Sequence, residues 1–194
     1  MVRRRFAAVA LVTLAGLCAP AAAASAQDAV FNVEIKDRRA DTEGPLDIVR
    51  VSLGPSHEEQ MVGQVTMARR WAADDLRVEG RPPGTLCYKL YVRRVAGDEP
   101  PDFLVCATAP AAGEELAGSV LRNRANGLPR ALGAAVVRRL SNRTVELRFA
   151  RSLIGSPARL SFVVEGVTFA KGCPLPQGCV DLSPEMRPAR LRLG

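Results

Sequence analysis

The feature that most limits what this chain can become is a period of two in its apolar residues. In residues 143–150, Val145, Leu147 and Phe149 alternate with Thr144, Glu146 and Arg148. In residues 158–165, Leu160, Phe162 and Val164 alternate with Ser161, Val163 and Glu165, and residues 47–53 set Val49, Val51 and Leu53 on one face. Successive side chains of a strand point to opposite faces, so segments of this kind bury one side and wet the other. Similar runs occupy 29–35, 60–67, 86–95, 102–107, 116–121, 131–139 and 189–193, punctuated by Pro, Gly, Asn and Asp. No stretch carries the 3.6-residue period of a long amphipathic helix, although Arg151–Gly155 reads as one helical turn. About nine or ten short strands predict an all-β fold, an antiparallel β-sandwich of jelly-roll type. No internal repeat or long linker divides it.

The N-terminus follows another rule. Arg3, Arg4 and Arg5 precede an apolar run from Phe6 to Leu17, Pro20 breaks it, and Ala24-Ser25-Ala26 follows. A basic start, an apolar stretch of 7–15 residues and an A-x-A end define a secretory signal peptide. A membrane anchor needs about 20 apolar residues, so this run is too short to be one. Residues 1–26 are therefore expected to be cleaved before Gln27. That leaves 27–194 as a single β-sandwich domain, secreted or extracytoplasmic, without an integral membrane anchor. Leu17 stands where a lipidated cysteine would want a small neighbour, so Cys18 belongs to the leader. Arg3-Arg4-Arg5-Phe6 partly matches a twin-arginine signal, and both export routes fit the sequence.

Four cysteines lie beyond the leader: Cys87, Cys106, Cys173 and Cys179. An even number in an exported chain predicts two disulfides, with three connectivities open on count alone. A hairpin chooses among them. If 86–95 and 102–107 pair around Ala96–Pro101, setting Cys87 opposite Cys106 puts Tyr88 against Val105 and Leu90 against Phe103, with Lys89 against Leu104 and Tyr91 against Asp102. Leu86, Tyr88, Leu90 and Val92 then share the buried face with Phe103, Val105 and Ala107, and the bridge lies on the other face, where opposed Cβ atoms are within bridging range. A slip of one residue would reverse every side chain. Cys173 and Cys179 are left to close a Pro-rich loop. Neither pair has the C-x-x-C spacing of a redox motif, and zinc is not expected, because five residues separate Cys173 from Cys179 and the chain has one histidine.

The net charge of +7 arises from 27 basic and 20 acidic residues; the leader holds three of the basic ones, so the mature domain carries 24 against 20, or +4. Arginine dominates, with Lys only at 36, 89 and 171, and it falls in scattered pairs such as Arg38-Arg39, Arg69-Arg70, Arg93-Arg94 and Arg138-Arg139. A nucleic-acid surface would gather basic residues with interleaved aromatics, so no nucleic-acid partner is expected.

Catalytic signals are sparse, and no catalytic residue is assigned. His57, the only histidine, sits in the turn-like GPSHEE segment, away from any G-x-S-x-G elbow. Asp74-Asp75, Asp98-Glu99 and Glu114-Glu115 are acidic pairs in turns, where glycosidase chemistry would want carboxylates held across a cleft. No P-loop, dinucleotide fingerprint or HExxH motif occurs. The densest acidic stretch is DRRADTEGPLD, whose Asp37, Asp41, Glu43 and Asp47 could offer several oxygen ligands to calcium, although the spacing is not that of an EF-hand and Arg38 and Arg39 offset part of the charge. No cofactor is expected, although the acidic turn permits calcium. Trp71, the only tryptophan, either caps one end of the core or stands exposed for sugar stacking; with Tyr91 it is the candidate ligand contact. Asn142-Arg143-Thr144 matches a glycosylation sequon.

The segment from Asp37 to Ser52, above all GPLDIVRVSLG, followed by a strand and Trp71, resembles the opening of exported β-sandwich domains related to carbohydrate-binding module family 9 and the DOMON group. The RSLIGSP turn before the strand at 158–165 is compatible with that pattern. The resemblance, carried mainly by residues 37–71, implies a jelly-roll sandwich with a binding or structural role and calcium near Asp37, Asp41, Glu43 or Asp47. It does not carry a ligand across: family 9 sugar sites resemble aromatic clamps, and this chain has one Trp and two Tyr, with Tyr88 expected inside. The sequence thus points to a secreted, non-catalytic module binding a glycan or a cell-surface protein. The alternatives are an extracellular hydrolase acting on polysaccharide or peptide, and a purely structural envelope protein.

Overall fold

Eleven antiparallel strands form one continuous sheet in a computed structural model of the chain, described for residues 32–38, 42–56, 59–93, 100–110, 115–124, 126–185 and 187–193. The leader, Asp41 and His57 lie outside the described residues. The strands are β1 (Val33–Lys36), β2 (Ile48–Pro55), β3 (Gln60–Met67), β4 (Thr85–Tyr91), β5 (Phe103–Thr108), β6 (Ala117–Arg122), β7 (Arg130–Arg139), β8 (Thr144–Ala150), β9 (Arg159–Thr168), β10 (Cys179–Ser183) and β11 (Ala189–Arg192). Their order across the sheet is β1-β2-β3-β8-β7-β6-β5-β4-β9-β10, and β11 pairs with β9 beside β10. The expected all-β antiparallel architecture is present, and the helical turn read at 151–155 is a single 3₁₀ turn, Arg151–Ile154.

The sheet becomes two layers because β7 changes partners along its length. Its first half pairs with β6, from Arg130 opposite Arg122 to Ala135 opposite Gly118, and its second half pairs with β8, from Val136 opposite Arg148 to Arg139 opposite Val145. A bulge on β7 between these partners of Val120 and Leu121 helps turn the corner, as bulges do where strands switch sheets. The layers then fold over one core, with Ile48, Val51, Leu53, Met61, Val65 and Leu147 facing Leu86, Tyr88, Leu90, Val105, Phe162 and Val164. The two ends of the sheet meet and nearly close a barrel: on β10 the Asp181 carboxylate accepts the backbone N–H of Ile48 on β2.

Tyr88 crosses from one layer to the other. Its ring packs 5.9 Å from that of Phe162, and its hydroxyl lies 2.9 Å from the Ser52 carbonyl and 3.0 Å from that of Gln64, an opposed pair on β2 and β3. Gly63 makes room for it; a Cβ there would stand 2.6 Å from the Tyr88 Cζ.

Both disulfides have the expected pairing. Cys87 faces Cys106, flanked by Tyr88–Val105, Lys89–Leu104 and Leu90–Phe103, so the hairpin register agrees residue by residue. Cys173 and Cys179 close the C-terminal loop. That loop is held by Arg81, whose guanidinium donates to the carbonyls of Phe169, Ala170 and Cys173 at 3.1–3.4 Å.

Two readings change. Ile48, not Val49, joins Val51 and Leu53 in the core, because a bulge between Ile48 and Arg50 leaves Val49 as the extra residue against β3. The strand that the alternation did not mark, β10, has inverted polarity: Asp181 and Ser183 are buried while Val180 is exposed. Its inward carboxylate serves the backbone of β2, so the apolar-in rule does not mark it.

Candidate functional site

The acidic turn is built into the frame. Asp47 is buried at the entry to β2, and its carbonyl accepts the N–H of Ala68. Gly44 lies so close to Cys179 that an added Cβ would stand 2.9 Å from the cysteine Cβ, which seats the turn on the disulfide loop. Glu43 is exposed, and Asp37 is half-buried with its Oδ1 accepting the N–H of Arg38. Among the described residues no three His, Cys, Asp or Glu side chains form a group that could hold a metal ion.

Trp71 takes the core-capping place. It is 4% exposed, and the Arg139 guanidinium lies over the ring, 4.4 Å from its centroid, while donating to the Trp71 carbonyl. A guanidinium over an indole face is a favourable cation–π arrangement. A sugar could reach this face only by displacing Arg139.

Tyr91 stands elsewhere, on the outward face of β4 and only 9% exposed, and does not converge with Trp71 on one site. Because Tyr88 and Leu90 point inward, the alternation turns Cys87, Lys89 and Tyr91 outward. On this face Lys89 pairs with Glu165 of β9. Beyond that pair, Tyr91 opposes Ser161, and Ser161 opposes Arg190 of β11, which makes a row across three strands. One step along, Arg159 opposes Arg192, and Arg93, two residues past Tyr91, continues the row past the end of β4. These six residues line an open cleft of about 270 Å³. Burial, and secondarily the charge of Glu165, pushes the Tyr91 phenol above its ordinary value, so its hydroxyl remains protonated at neutral pH. The Asp102 carboxylate accepts the N–H groups of Val92 at 2.9 Å and Arg93 at 3.1 Å and fixes the chain where it leaves β4.

Sequence reasoning singled out Tyr91 here and missed Ser161, Arg93, Arg159, Arg190 and Arg192. The arginines look scattered along the chain, and only the pairing of β4 and β11 with β9 gathers them. Alternation could have shown that Arg159, Ser161, Arg190 and Arg192 face outward; which strands adjoin could not be read.

Compared with known protein families, curated proteins and solved structures, the chain matches none. Among the described residues, no helix is long and apolar enough to cross a membrane.

Proposed function

We propose that this chain is an extracytoplasmic, non-catalytic β-sandwich module that binds a glycan or a cell-envelope partner on the outer face of β4, β9 and β11. The supporting observation is the cleft at Tyr91, where phenol, hydroxyl and guanidinium donors meet on the adjacent strands β4, β9 and β11, with Arg93 just past the end of β4. Donors mounted on a rigid sheet lose little freedom on binding, which favours recognition of a polar, extended ligand. Two disulfides support the extracytoplasmic address, since such bridges persist in oxidising compartments.

Titration of the oxidised domain, residues 27–194, with a panel of envelope polysaccharides tests this reading. Saturable binding is expected, weakened several-fold by Tyr91→Phe, which removes one hydroxyl and leaves the ring. Failure of every polysaccharide to bind would overturn the glycan reading and leave a protein-binding or structural envelope component. Reproducible hydrolysis of a polysaccharide or peptide that a single carboxylate substitution abolishes would contradict the non-catalytic reading.

A second reading, a structural envelope component, is favoured by exposed apolar side chains on and beside β7: Val136 at 60%, Leu128 at 86% and Leu140 at 46%. It predicts concentration-dependent assembly of the pure protein that Val136→Lys abolishes.

A further inference from the structure

We propose that the ligand of this face is an acidic polysaccharide, whose carboxylates are held by Arg93, Arg159, Arg190 and Arg192. The inference rests on the binding reading above and names the ligand's chemical class.

The four guanidinium groups come from three neighbouring segments: the end of β4, the start of β9, and β11. Neighbouring strands lie about 5 Å apart, and alternate residues on one face are separated by roughly 7 Å along a strand. Arg159 and Arg192 are directly opposed, and Arg190 lies two residues from Arg192 on the same face. All four arginines are exposed. Like charges directly opposed across a strand pair are destabilising. Here no carboxylate relieves them: among the described residues, none of the four is in an ion pair. Of the described acids, Glu165 is committed to Lys89 and Asp102 to the backbone N–H groups of Val92 and Arg93. The cleft is therefore a concentration of unneutralised positive charge, and a bound polyanion would remove the repulsion.

The chemistry narrows the class further. Guanidinium groups bind carboxylates through paired, charge-assisted hydrogen bonds. Between them Tyr91 and Ser161, each 9% exposed, line the cleft. A single-stranded nucleic acid would need exposed aromatic platforms on which to stack its bases. The one aromatic ring in the cleft, Tyr91, is only 9% exposed. A carboxylated sugar chain fits the charge and needs no ring on which to stack.

Three probes separate the possibilities by isothermal titration with the oxidised domain: polygalacturonate, the same polymer with its carboxyls reduced to alcohols, and single-stranded DNA. The proposal predicts saturable binding of polygalacturonate and at least tenfold weaker binding of the reduced polymer. It also predicts a loss of roughly tenfold or more in affinity between low and moderately high salt, since exposed charges are screened within about 10 Å at 0.1 M. Arg159→Gln combined with Arg192→Gln should weaken polygalacturonate about tenfold or more without changing the melting temperature by more than a few degrees. Arg124→Gln, an exposed charge outside the cleft, should leave affinity unchanged and so control for net charge. Equal binding of the reduced polymer would keep the glycan reading and overturn the anionic one. DNA binding as tight as polygalacturonate would overturn the polysaccharide assignment, leaving a charge-only surface. Failure of polygalacturonate while another polysaccharide of the envelope panel binds would overturn the anionic assignment and keep the glycan reading.

Discussion

Single residues set the spacing of the two layers, and Gly63 and Tyr88 form the tightest such pair. The Tyr88 ring occupies the space above Gly63, so Gly63→Ala should overpack the core and cost about 1–3 kcal/mol. Urea denaturation of the single variant and of Gly63→Ala with Tyr88→Leu checks this. The double variant should lose less than the sum of the two single losses, because the smaller side chain removes the clash; strict additivity would mean the contact is not the cause. Glu146 governs a different property. Burial alone would raise its carboxyl, but hydrogen bonds from Arg148 and Gln64 and the charges of Arg148 and Arg138 outweigh it and hold the group below its ordinary value of 4.5. A depressed carboxyl stabilises the fold fully above its unfolded value and loses that contribution as pH falls through the folded one. Stability should therefore decline as pH drops below about 4.5, and less steeply in Glu146→Gln, as read from denaturation midpoints across that range. Parallel curves for the two proteins would contradict this.

At the scale of elements, the corner strand β7 depends on its neighbour lacking a side chain. A Cβ on Gly118 would stand 2.1 Å from the Ala135 carbonyl oxygen, at the point where β7 leaves β6 for β8. Gly118→Ala should separate these strands locally and destabilise by several kcal/mol, with faster amide exchange concentrated at β6 and β7. Uniform protection equal to that of the parent protein would contradict the close approach. Ten of the eleven strands were legible as alternating runs, because a half-buried strand must alternate wherever one face meets a core. The Cys87–Cys106 register was legible because setting the two cysteines opposite each other keeps Leu86, Tyr88 and Leu90 on the same face as Phe103, Val105 and Ala107, which a slip of one residue would not. Three features escaped. The β2 bulge shifts Ile48 into the core, and no local residue announces it. The inward Asp181 and Ser183 hide β10, because a carboxylate that serves the backbone of β2 reverses the usual pattern. The arginine cleft was invisible because its members lie as far apart in sequence as Arg93 and Arg192, and strand order alone makes them neighbours.

For the whole molecule, the proposed function sets support and recognition on different parts of the folded sheet. The acidic turn packs on the Cys173–Cys179 loop, Trp71 and Arg139 close one end of the core, and the Cys87–Cys106 bridge pins the hairpin whose outer face carries Tyr91. On the chain-entropy account each bridge contributes on the order of 2–4 kcal/mol, the shorter loop less. The central claim, that the outer face of β4, β9 and β11 is the binding surface, is tested most directly by amide chemical-shift mapping of the ¹⁵N-labelled, oxidised domain with an acidic oligosaccharide. The account predicts shifts concentrated at Tyr91, Arg93, Arg159, Ser161, Arg190 and Arg192, saturating together with one dissociation constant. Shifts centred on Trp71 or β7, or no shifts at millimolar ligand, would contradict it.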